Sequence, residues 1–168
     1  YGTEPWNYFG TENVSSLNNM PSNTVDWVLV EVRLGSDAAS AIEQHAALLL
    51  SDGSIVDVDG TPLGVHFYNL SDNGDYHIVI RHRNHLDLIS ATTINVNSGM
   101  LSHDFTTGLA QSYGTNQMAS VASNTTALYS GDTNGDGIIS LADFNIYLEE
   151  AGMTNAYVTS DINLDGQV

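Results

Sequence analysis

The chain has 168 residues, 42% of them apolar, which suits one medium domain with a small appendage or two small domains. Its net charge is −17, its only cations besides histidine are Arg33, Arg81 and Arg83, and it has neither lysine nor cysteine. That balance argues against nucleic acid and anionic lipid as partners, excludes disulfides and thiol catalysis, and favours hard cations bound through oxygen.

No apolar run approaches the roughly 20 residues of a membrane-spanning helix, so no membrane insertion is expected. A start at Tyr1, without an initiating Met or a leader, reads as a mature or excised piece of a longer protein.

Residues 1–20 form an N-terminal extended segment in which Trp6, Tyr8 and Phe9 alternate loosely, as in a strand. It either packs on its own domain or is lent to a neighbouring molecule. Residues 21–106 carry the β pattern. In VDWVLVEVRL, Val28, Val30, Val32 and Leu34 share one face, while Val25, Trp27 and Leu29 begin the other.

EQHAALLLSDGSIVDVDG reads as two strands around a Ser-Asp-Gly turn, with a short helix around 38–47 as the alternative for its first half. GVHFYNL predicts a further short strand, DYHIVIRHR a clear alternating one, and LDLISATTINVNS one or two more. Short strands between Gly, Asn and Asp turns predict a mainly β fold, an antiparallel, immunoglobulin-like β-sandwich. Tyr76, just after Asn-Gly-Asp, occupies the place of a tyrosine corner in such sandwiches, or of an ordinary core tyrosine.

Residues 107–130, rich in Ser, Thr, Asn, Gly and Ala, read as a linker or surface meander. Sequons occur at Asn13, Asn69 and Asn124, as chance alone can produce in such a composition.

The densest chemistry is GDTNGDGIISLADF, residues 131–144. A twelve-residue calcium loop places oxygen ligands at positions 1, 3, 5, 7, 9 and 12, with glycine at 6 for the sharp turn. Counting from Asp132, these slots hold Asp132, Asn134, Asp136, Ile138 through its carbonyl, Ser140 and Asp143, with Gly137 at the turn. Ser140 can cap a helix bearing an apolar stripe of Leu141, Phe144, Tyr147, Leu148 and Ala151, and Gly152 can end it. A second copy, SDINLDGQV, offers Asp161, Asn163 and Asp165 at positions 1, 3 and 5, with Gly166 at 6, and leaves positions 9 and 12 past Val168.

These two D-x-N-x-D-G loops, with a helix after the first, resemble dockerin type I repeats over residues 131–168. The resemblance implies two bound calcium ions and a role in plugging a secreted enzyme into a cohesin. Leu141 and Ala142 stand where dockerins commonly carry cohesin-contacting polar residues, and the helix lacks their usual basic residues, so calcium binding carries over better than cohesin binding. Residues 25–96 are similar to a module near the C-termini of large secreted proteins of Bacteroidota-like bacteria. That similarity implies an extracellular or cell-surface origin.

Other candidates are weaker. RHRNH, residues 81–85, gathers two arginines and two histidines, but His82 and His85 lack a convincing metal-ligand spacing. Arg81 and Arg83 are more simply partners for Glu31, Asp57 or Asp59. Neither G-x-S-x-G nor H-E-x-x-H occurs, and Asp57 and Asp59 fit a turn better than a glycosidase pair.

The expectation is a non-enzymatic, secreted, calcium-binding structural or adhesion module whose partners are proteins, including copies of itself in a filament or matrix. The alternative is a carbohydrate-binding or dockerin-like anchoring module of a polysaccharide-degrading enzyme, with Trp6, Trp27, Tyr68 and Tyr113 as candidate sugar-stacking aromatics.

Overall fold

A computed structural model describes Trp6, residues 8–60 and residues 64–168. The chain is mainly β, with antiparallel sheets and one short α-helix. Its central strand, β1 (Thr24–Arg33), is the β-branched run of the sequence. It pairs on one side with β2 (Ala41–Leu50) and on the other with β4 (Asp75–His82). With β3 (Ile55–Val56) and β5 (His85–Ile89) outermost, the order is β3-β2-β1-β4-β5, and β6 (Ile94–Asn95) also pairs with β4.

Both faces of the sheet centre are buried. On one, Val28, Val30, Ala47 and Ile80 pack with Phe67 and Phe105, and the adjoining Val32, Tyr76 and Val96 pack with Leu70 and Leu101. The other carries Leu29, Ala46, Leu48 and Val79, all buried, beside the buried carboxylate of Glu31. Glu31 is held by Arg33 and Gln44 and lies 3.6 Å from Arg81 Nη2. Leu34, expected on the first face, lies past the end of β1 and is exposed.

Tyr76 Oη accepts a hydrogen bond from Ser71 N–H at 3.0 Å, the upstream backbone contact of a tyrosine corner. Gly74 makes this possible, because a Cβ there would stand 2.6 Å from the Tyr76 ring.

Four expectations are revised. No strand covers residues 64–70, because the Tyr68 and Asn69 amides donate to the Glu43 carboxylate instead of to a ladder. The helix alternative over 38–47 reduces to a 3-10 turn at Ala38–Ser40, since pairing with β1 draws the following residues into β2. Residues 107–130 contain a 3-10 turn at Leu109–Gln111 and a hairpin of β7 (Met118–Ala122) and β8 (Thr125–Leu128). The N-terminal segment forms no strand over residues 8–16 and has a 3-10 turn at Leu17–Asn19; residues 1–5 and 7 lie outside the described residues.

The last two segments share a role: they cover sheet edges, where unpaired N–H and C=O groups invite association. Along β2, beyond β3, Tyr8 Oη donates to the Gln44 carbonyl at 3.1 Å and Glu12 accepts from Ala46 N–H at 3.3 Å. Along β5, Leu86 N–H donates to Tyr129, and Tyr113 N–H to Ile89, both at 2.9 Å.

Candidate metal centre

Helix α1 (Leu141–Glu150) begins where the sequence predicts. Ser140 Oγ accepts from Ala142 N–H at 3.1 Å, and the Asp143 carboxylate accepts from Ser140 N–H at 2.7 Å, a capping box. Asp143 reaches further back, accepting from Thr133 N–H at 2.9 Å and Asn134 N–H at 3.2 Å, so one carboxylate ties the helix to the start of its loop. The helix is held by this buried acid at its N-terminus. Its apolar stripe faces solvent: Leu141 is 72% exposed and Phe144 50%.

Asp132 accepts from Asp136 N–H at 3.1 Å and Gly137 N–H at 3.0 Å, while Asn134 Oδ1 accepts from Asp136 N–H and Asp136 from Ile138 N–H. Gly135 and Gly137 take the positive φ this winding requires. The second loop repeats the arrangement bond for bond. Asp161 accepts from Asp165 N–H at 3.1 Å and Gly166 N–H at 2.9 Å, Asn163 from Asp165 N–H, and Asp165 from Gln167 N–H. Leu164 adopts φ 62° where the first loop uses Gly135.

The first loop fits a hard cation in donor chemistry. Its candidate ligands are all oxygens, and among the described residues no Lys, Arg or His pairs with Asp132, Asp136 or Asp143. Burial pushes the Asp132 carboxyl above its ordinary value, and the charges of Asp143 and Asp136 add to this against the Gly137 N–H bond. Burial acts the same way on Asp143, but the N–H groups of Ser140, Asn134 and Thr133 outweigh it and hold that carboxyl low. Among the described residues no three His, Asp or Glu side chains stand ready-made as a metal cluster. Half of this loop's candidate set is amide, hydroxyl and backbone carbonyl. An open cleft of about 480 Å³ adjoins it, bounded by Thr133, Asn134, Ile146, Glu150 and Tyr157.

Both loops are anchored on the β4–β5 turn, through the RHRNH segment. Asn84, fully buried, accepts at its carbonyl from Gly131 N–H and donates its side-chain amide to the Asp161 carbonyl, each at 2.8 Å. Arg83 donates from Nε to Asp26 at 2.9 Å and from Nη1 to the Val158 carbonyl, stacks on Tyr157, and lies 3.7 Å from Asp161 Oδ2. Asp26 also accepts from Tyr157 Oη at 2.7 Å and faces His82 Nε2 at 3.2 Å. Burial opposes ionisation of Asp26, but the bonds from His82, Tyr157 and Arg83 prevail and hold it far below its ordinary value.

Sequence reasoning missed Asp26, Asn84 and Tyr157. A signal existed for the first: Asp26 shares strand parity with the core residues Val28, Val30 and Val32, and a buried acid needs a partner.

The remaining candidates separate. His82 and His85 bring their Nδ1 atoms to 2.9 Å, both beside Asn84 Oδ1, which is hydrogen-bond spacing. Arg81 meets Glu31, as expected, and Asp87, while Arg83 meets Asp26 in place of Asp57 or Asp59. Asp57 closes a turn, its carbonyl accepting from Gly60 N–H. Of the candidate sugar-stacking aromatics, Tyr68 lies beside β2 and Tyr113 beside β5, at opposite edges of the sheet, so these two form no shared platform. Comparison with family models, curated proteins and solved structures finds no match for this chain.

Proposed function

We propose that the chain is a non-enzymatic, extracellular structural or adhesion module whose C-terminal segment is stiffened by calcium. The observation that carries the reading is the first loop. Six oxygen donors stand at calcium-loop spacing, among them the buried Asp132, which pairs with no cation among the described residues, and the winding recurs 29 positions later. Bound there, calcium would supply the positive charge that Asp132, Asp136 and Asp143 lack, so its binding free energy would become folding free energy. The residues themselves set the loop winding, cap α1 and tie both loops to the sheet.

A sandwich-like core is part of the proposal, supported by the doubly buried sheet centre and the Tyr76 corner bond. Extracellular placement follows the resemblance of residues 25–96 to secreted modules. The covered stretches of β2 and β5 argue against assembly by strand addition there. Exposed side chains such as Leu141, Phe144 and Leu148 are the better candidates for contact with copies of the chain or with an anchoring partner.

Calcium titration calorimetry and sedimentation velocity, with calcium and then with chelator, test this. Calcium heat together with calcium-dependent assembly is expected. A calcium-binding chain that stays monomeric at high concentration would remove the filament part. No calcium heat would remove the whole reading.

A further inference from the structure

The two loops share a winding but not an electrostatic setting. In the first, Asp132, Asp136 and Asp143 meet N–H, amide and hydroxyl donors but no cation among the described residues. In the second, the buried Arg83 guanidinium stands 3.7 Å from Asp161 Oδ2. Arg83 is fixed from several sides: by Asp26 at 2.9 Å, by the Val158 carbonyl, and by the Tyr157 ring 4.3 Å from its centre. A guanidinium does not give up its proton in a protein, and swinging it aside would take from the buried Asp26 its one arginine partner among the described residues.

Resting on the calcium reading of these loops, we infer that Arg83 is the permanent counter-cation of the second loop and sets the two loops apart electrostatically. The first loop takes calcium. The second keeps the same N–H-to-carboxylate winding with the protein's own cation beside it, and any calcium reaching Asp161 meets a fixed positive neighbour in a partly desolvated setting, where like charges repel more strongly than in water. The ion pairs agree: among the described residues Asp132, Asp136 and Asp143 in the first loop face no cation, whereas Asp161 in the second faces one. The second loop therefore binds calcium at least about tenfold more weakly than the first.

Titration of the whole chain with calcium chloride, by calorimetry, decides the matter using Asp132→Asn and Asp161→Asn, each checked for a cooperative melt. Each change keeps one of the two oxygens that accept the loop N–H bonds, so both loops lose the same bond and the comparison between them is fair. The expected result is one tight site per chain, weakened at least about tenfold by Asp132→Asn and moved by no more than about twofold by Asp161→Asn. Two sites of equal affinity, or equal losses from the two substitutions, would overturn the inference while leaving the calcium reading intact. A wild-type chain that gives no calcium heat would remove both.

Discussion

Asn84 and Asp161, 77 positions apart, are joined by a hydrogen bond of 2.8 Å between a side-chain amide and a backbone carbonyl, with Asn84 buried and its own carbonyl taken by Gly131. One residue at a β-turn thus sets the start of both D-x-N-x-D-G loops. Replacing it with alanine leaves the Asp161 carbonyl desolvated and unpaired, at a cost of about 1–3 kcal/mol. Asn84→Ala is expected to lower the melting temperature by several degrees, and an unchanged urea midpoint would count against the clamp.

Glu31 is the most buried acid of the sheet and is held by Arg33 and Gln44 with Arg81 nearby. Truncating one member of a buried ionic group costs far more than the group contributes, because the remaining charge stays desolvated. Glu31→Ala is expected to destabilise by about 3–5 kcal/mol in chemical unfolding. A loss below about 1 kcal/mol would mean that Arg33 finds solvent or another carboxylate.

These two sites also mark what the sequence made legible. β-Branched runs announced β1 and β4, and the spacing of acids, Asn and Gly announced the first loop, its capping serine and α1. Those signals are local. Residues 64–70 look like a strand, yet their amides are claimed by Glu43 from another part of the chain. The Ser/Thr-rich 107–130 carries no period, yet the Tyr129 carbonyl, at its end, completes the edge of β5. Asn84 is one polar letter in RHRNH, and nothing nearby in sequence foretells partners at Gly131 and Asp161. Long-range pairing decided each case.

The Ser71–Tyr76 bond offers a check on the core. Tyr76→Phe keeps the ring and removes the acceptor for Ser71 N–H, an expected loss of about 1 kcal/mol. Gly74→Ala forces a methyl against the same buried ring and should cost about 1–3 kcal/mol through overpacking. If the alanine variant melts like wild type, the close approach of Gly74 to Tyr76 is not maintained in solution.

Acid should weaken the clamp in two windows. Burial, with His82 and Arg83 adding to it, lowers the His85 pKa to about 4. Between the ordinary value near 6.5 and 4 the unfolded chain therefore binds the extra proton, and stability falls as pH falls, by about 1–3 kcal/mol in all. Asp26 is likewise held low, so its contribution is present above the ordinary aspartate range and is lost as pH falls below it. Melting temperatures from pH 7 to pH 4 should slope downward for the wild type and less steeply for His85→Gln. Parallel slopes would exclude His85 as the source.

Calcium removal tests whether the C-terminal loops and the sheet unfold as one body. If calcium binds only the folded chain, a concentration about a hundred times its Kd adds about 2.7 kcal/mol, a rise of roughly 5–10 °C in melting temperature for a chain of this size. The Gly131 N–H bond to Asn84, with the bonds from Asn84 and Arg83 to Asp161 and Val158 behind it, gives loosening of the first loop a route into β4 and β1, because each freed partner is left desolvated. Hydrogen exchange after chelation should therefore show protection falling together in peptides covering β1, β4 and residues 131–168. Loss confined to residues 131–168, with the sheet unchanged, would mean that the segment opens as a unit of its own and that the clamp positions the loops without coupling them to the sheet.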